Sequence, residues 1–316
     1  MRGEISTFTS VLIVITLVLC VASWLLVLVG YIKDRRTRKR THYALVIMLV
    51  LSVPVTAQPP WQPPRTPDGQ PDMQGIWRNS TFGKAMYSLE GDHSRWWQGE
   101  NVIADPTQLY TAYMASYVID PADGKIPYQP WAAAKRQEFI ANMMAPTKLE
   151  HIDTYVRGWS AGVPRVNAVP FPVQILQFPD AVIFAYENNH QYRVVPLDGR
   201  PHVGNSIKLL NGDSRGRWEG NTLVVEVANL DGRTWLDWLS FHGEGLQVVE
   251  RWTRVGPDRI DFQATYDDPT MFTRPWTIAY PFDRAEAGYE IWEDARHEGD
   301  RDAERTLRGG GLTGQR

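Results

Sequence analysis

The chain has 316 residues and a formal charge of −3, with its only dense basic run beside an apolar segment, which excludes phosphate-backbone binding as its main activity. Its single cysteine, Cys20, lies inside the first apolar stretch, so the remainder can build neither a disulfide framework nor a thiolate metal site. The 13 Trp and 13 Tyr serve either ordinary packing or the walls of an apolar ligand cavity.

Val11 to Ile32 is an uncharged run long enough to cross a bilayer, and Lys33 to Arg40, K-D-R-R-T-R-K-R, places its following end in the cytoplasm. A shorter apolar run, Ala44 to Val55, leads into small residues ending at Ala57, the order of regions in a secretory signal. Two readings stand: Lys33 to Ala57 is the true signal peptide, or a membrane helix precedes a second export element. Both deliver the rest of the chain to the periplasm or the exterior, free or anchored to the inner membrane through the N-terminal helix. Residues 1–57 therefore form a membrane and signal region.

Residues 58–73, with Q-P-P-W-Q-P-P at their start, predict an extended, solvated linker. A domain is expected over 74–298 and a disordered polar tail over 299–316. Gly75-Ile76-Trp77 at the start of the first strand resembles the G-x-W opening of lipocalin-like barrels. Tyr128 to Met144 places Ala132, Phe139, Ile140 and Met143 at helical spacing behind a proline, so a helix lying on a sheet is predicted. His151 and Asp153 follow in a loop, where an exposed histidine is expected rather than a metal pair.

From Val173 onward strands dominate. Val173 to Phe178, Ala181 to Glu187, Gln191 to Leu197, Thr222 to Val227, Leu246 to Val255, Arg259 to Tyr266 and Trp276 to Phe282 are separated by P-D, D-G, G-N and G-P-D turns. Tyr289 and Ile291 repeat the alternation, and Gly212 to Gly216 reads as a turn before a strand. Short strands joined by tight turns predict a mainly β fold: an antiparallel, barrel-like, calycin-like domain with one or two peripheral helices.

Five phrases, L-D-G-R-P-H from Leu197, G-D-S-R-G-R-W-E-G-N-T-L-V-V-E from Gly212, E-R-W-T-R from Glu250, D-D-P-T-M-F-T-R-P-W from Asp267 and H-E-G from His297, resemble a large family of exported bacterial proteins that mostly carry no assigned activity. The resemblance covers nearly everything after the linker and implies export and one β-rich domain. Relatives carry a cysteine in the loop matching 153–164 and another just before H-E-G, as if joined by a disulfide. This chain has Val156-Arg157 and Ala295-Arg296 there, so the bridge is not transferred.

Chemistry is sought among polar residues in apolar rows. Glu187 shares a face with Ala181, Ile183 and Ala185, Glu226 with Val224, and Glu250 with Val248 and Trp252. Pointing inward, such a carboxylate gains a raised pKa for acid–base work; at a rim it is solvated or paired with arginine, Arg193 and Arg251 being candidates. The segment Asp231 to Gly245 sets Asp237, His242 and Glu244 among Trp235, Trp238 and Phe241, either a mobile lid over a pocket or a cap on a barrel mouth. His190, His202, His242 and His297 lack metal-site spacing, and no nucleophile elbow or dinucleotide fingerprint occurs, so no metal and no cofactor are expected.

The leading expectation is an enzyme acting on a small apolar or aromatic molecule by acid–base chemistry, as a lyase, isomerase or hydrolase. Its catalytic candidates are Glu187, Glu226, Asp237 with His242, and Arg193 as an anion clamp. His190, Trp235, Trp238, Phe241 and Trp252 are the substrate-binding candidates. The alternatives are a non-catalytic lipocalin-like binding protein of the cell envelope and an anchored structural protein.

Overall fold

The computed structural model describes residues 61–81, 84–90, 116–142, 145–189, 191–294 and 301–308. The predicted membrane and signal region lies outside the described residues, as do His190 and His297; among the described residues no helix is long and apolar enough to cross a membrane.

Ten strands form one antiparallel sheet: β1 (Gly75–Asn79), β2 (Val118–Asp120), β3 (Val173–Gln177), β4 (Ala181–Tyr186), β5 (Tyr192–Pro196), β6 (Asp213–Glu219), β7 (Thr222–Ala228), β8 (Gln247–Gly256), β9 (Arg259–Asp267) and β10 (Trp276–Arg284). Nine run in the order β5-β4-β3-β1-β10-β9-β8-β7-β6, while β2 pairs with β10 alongside β1. The sheet curls into a nearly closed barrel because its edges, β5 and β6, meet at Gly216. A Cβ there would stand 2.6 Å from Val195 Cγ1 and 2.7 Å from Leu197 Cδ2, so the glycine lets the two edges pack directly.

Strict alternation sets what faces in. On β8, Val248, Glu250 and Trp252 are buried between less buried neighbours, and β9 repeats this with Ile260, Phe262, Ala264 and Tyr266. The barrel interior is filled by rings in contact: Trp252 lies 5.0 Å from Phe184, 4.6 Å from Phe262 and 5.0 Å from Phe282, centroid to centroid. Such pairs contribute about 0.5–1.5 kcal/mol each beyond their buried area.

The two ends of the barrel differ. One carries tight turns, including Gly220-Asn221 between β6 and β7, where Gly220 at φ 60° supplies the first position of a two-residue hairpin turn. The other carries the long segments 229–246 and 268–275 and receives helix α2 (Pro130–Asn142). A proline starts α2, as the first helical turn permits, and Gln129 N donates to Met271 O while Trp131 Nε1 donates to Thr270 O at 3.1 Å. Two shorter helices, α1 (Lys84–Tyr87) and α3 (Asp302–Arg308), and 3-10 turns at Leu149–His151 and Arg165–Asn167 complete the described elements.

Several expectations need correction. Trp61 to Met73 is not a solvated linker: Pro63, Pro71 and Met73 are buried, and Arg65 reaches Asn221 while Arg254 donates to Asp72 O. The tail contains α3 rather than disorder throughout. Gly212 to Gly216 is not a turn, since β6 begins at Asp213, and Tyr289 and Ile291 lie outside any strand. The loop pair His151 and Asp153 is buried, not exposed: His151 meets Glu138 of α2 and Asp153 is held by Arg165.

Candidate functional site

Inside the barrel, Arg193 of β5 and Glu250 of β8 form a bidentate pair at 3.0 and 2.6 Å, across strands that are not neighbours in the sheet. Asn167 Nδ2 donates to Glu250 Oε1 at 2.8 Å, Trp252 Nε1 to Oε2 at 3.2 Å, and Tyr186 OH to Asn167 Oδ1 at 2.8 Å. Four donors occupy the carboxylate, which is what a charge in a dry interior requires. Burial alone would lower the Arg193 pKa, but Glu250 and then Tyr186 raise it on balance, so the guanidinium stays charged. Burial, above all, pushes the Tyr186 hydroxyl up. Carboxylate and guanidinium are each other's main partners, so neither stands free as an acid or base, and Arg193 Nε is left without an acceptor among the described residues.

The other expected catalytic groups lie elsewhere. Glu226 points outward and is half exposed, pairing with Arg217 beside it; the inward residues of β7 are Leu223, Val225 and Val227. Glu187 follows the last residue of β4, whose inward set is Val182, Phe184 and Tyr186, so it is not in the interior row. Its Oε2 accepts Tyr289 OH at 2.7 Å and Trp292 N at 3.0 Å, holding 289–292 against the end of the barrel.

Asp237 and His242 do not form a pair, because each is taken by its own loop. Asp237 accepts the backbone N–H of Leu89 at 2.8 Å, Leu239 at 2.7 Å and Ser240 at 2.6 Å. Burial raises its pKa, with Arg136 and these donors opposing. His242 Nδ1 donates to Gly243 O at 2.8 Å, and its Nε2 lies 2.9 Å from Thr234 Oγ1, whose hydroxyl also reaches Asp231 O at 3.2 Å. Burial lowers its pKa, favouring the neutral form. Trp252, expected at a ligand, belongs to the interior aromatic core instead, and His202 pairs with Asp213 at 2.9 Å.

Three of the expected binding aromatics do come together, outside the barrel. Trp235 stacks on Phe139 of α2 with centroids 4.9 Å apart, and Phe241 meets the same ring edge-on at 5.3 Å. Trp235, Trp238 and Phe139 line a cleft with Pro146, His151, Ile152, Val156, Asp153 and Thr306, with a cavity volume of about 80 Å³. That is below the roughly 300–1,000 Å³ usual for small-molecule sites, so the hollow takes one ring or a short apolar group of a guest rather than a large ligand whole. Asp153 is held by Arg165 in a bidentate pair at 2.8 and 2.6 Å, which neutralises it. His151, the other polar wall group, is engaged at both ring nitrogens, Nδ1 by Thr147 N at 3.3 Å and Nε2 by Glu138 Oε1 at 3.4 Å. Trp238 also brings a buried indole N–H that has no acceptor in the described part of the chain.

Sequence reading missed His151, Ile152 and Val156 as wall residues, whereas Arg193 was among the arginine partners expected for the strand glutamates, Glu250 included. The loop 145–157 has no periodic pattern to reveal its direction, whereas Phe139 was marked by helical spacing and Glu250 by its apolar row. Comparison with protein-family models, curated proteins and solved structures finds no match to the chain.

Proposed function

We propose that this chain is a binding protein for a small apolar or aromatic molecule, received in the cleft beside Trp235 and Trp238 rather than within the barrel. The observation that carries this reading is the lining itself: three aromatic rings and three aliphatic side chains converge on one open hollow, with the Asp153 charge already neutralised. Apolar guests gain about 25 cal/mol per Å² of surface removed from water there.

The acid–base enzyme reading is less well supported, since Glu187, Arg193, Asp237 and His242 are each occupied by separate partners and Glu226 faces solvent. We further propose export and membership of the exported bacterial family whose phrases the sequence carries; the basic, apolar and small-residue order of Lys33 to Ala57 supports this.

The test is native mass spectrometry of the purified full chain, followed by titration with the fluorescent apolar probe 1-anilinonaphthalene-8-sulfonate. A co-purified aromatic or apolar compound that displaces the probe is expected. Probe binding that no apolar or aromatic compound displaces would overturn the reading.

A further inference from the structure

At the rim of the aromatic cleft, three side chains from two segments aim ligand atoms at one point. Glu138 projects from α2 one residue before Phe139, and Glu150 and His151 come from the loop that follows. One oxygen of each carboxylate and one nitrogen of the ring lie within 4.8 Å of one another. His151 Nε2 and Glu138 Oε1 are 3.4 Å apart. That separation matches the edge of a tetrahedron drawn with metal–ligand bonds of about 2.0–2.1 Å, which comes to roughly 3.3–3.4 Å.

The histidine is held for this task. It is only 4 % exposed, packs edge-on to Phe139 at 6.4 Å, and has Thr147 Oγ1 3.4 Å from its Nδ1. Thr147 N donates to Nδ1 at 3.3 Å and Nε2 points at Glu138 Oε1, so a cation would replace the Nε2 hydrogen, the ring proton moving to Nδ1 beside Thr147 Oγ1. Lys148 Nζ lies 3.6 Å from Glu138 and 3.4 Å from Glu150. This ammonium is more than half exposed and can swing into solvent when a stronger cation arrives.

We propose that Glu138, Glu150 and His151 form a binding site for a divalent transition-metal cation of the zinc type at the mouth of the cleft. One imidazole and two carboxylates supply three ligands, leaving a fourth position for water or a guest. Glu150, half exposed on the loop, makes the small adjustment that closes the set. The site stands independently of what the cleft binds.

The test uses the full chain purified in detergent, stripped with chelator and titrated with Zn²⁺ against a chromophoric competitor. The expected result is a single Zn²⁺ per chain, with affinity weakened about tenfold or more by the E138Q/E150Q double variant and tightened by Lys148→Met. Both glutamates are largely exposed, so circular dichroism should show the double variant folded. Equal Zn²⁺ affinity in wild type and double variant, or no uptake by the wild type, would overturn the proposal.

Discussion

Phe139 and Trp235 lie face to face, their ring centroids 4.9 Å apart and their planes inclined by 20°. This contact joins the outer helix to the segment between β7 and β8, two parts of the chain that no backbone ladder connects. It makes one wall of the cleft, and the cleft's apolar character follows from it.

Filling that space should abolish binding without unfolding the barrel. Val156→Trp places a large ring in the hollow, at a partly buried loop position away from every strand. The probe titration should lose its saturable component, while the unfolding free energy measured in urea shifts by less than about 1.5 kcal/mol. Unchanged saturable binding would place the ligand elsewhere.

Breaking the interior ion pair from one side should be severe. Glu250→Gln leaves Arg193 charged and buried, and a loss of about 3–5 kcal/mol in equilibrium unfolding is expected. Arg193→Met combined with Glu250→Leu removes both charges and should be less destabilising than the sum of the single changes. An additive double variant would contradict the coupling.

Stability should depend on pH through His242. Burial depresses its folded pKa below the ordinary imidazole value of 6.5, so between the two values the unfolded chain binds the proton that the folded chain refuses. Stability is therefore full above that ordinary value and declines as pH falls from it through the depressed folded value. His242→Gln should flatten that decline in urea titrations run at successive pH values, even though it lowers the plateau. An unchanged slope would show that His242 does not control it.

The barrel seam offers a steric test. Gly216→Val would drive a side chain into Val195 and Leu197, forcing β5 away from β6. A loss of about 1–3 kcal/mol is expected, with faster amide hydrogen exchange confined at first to β5 and β6. Protection lost uniformly over the sheet would argue against a local seam.

Most strands are legible in the amino-acid sequence, because alternation with a period of two is imposed by the backbone and interrupted by turn residues. Trp276, Ile278, Tyr280 and Phe282 announce β10 in this way. The strand β2 is not legible, since its three residues carry no pattern and are recruited by β10. Glu187 shows how the same rule misleads at an end: the inward row of β4 is the one that includes Tyr186, and nothing local to Ala181–Glu187 says which of two mixed faces will be covered.

By itself the sequence determined most strand segments, β2 and the start of β6 excepted, their antiparallel pairing through short turns and the aromatic character of the segment after Leu230. All of these depend on residues within a few positions of one another. Only the tertiary structure decided that Arg193 meets Glu250, that Glu226 faces solvent, and that Phe139, Val156 and Trp235 share one cleft with His151 at its edge. Those outcomes depend on how the sheet closes and where the long end loops pack, which is settled by the burial of the whole interior at once rather than by any local preference.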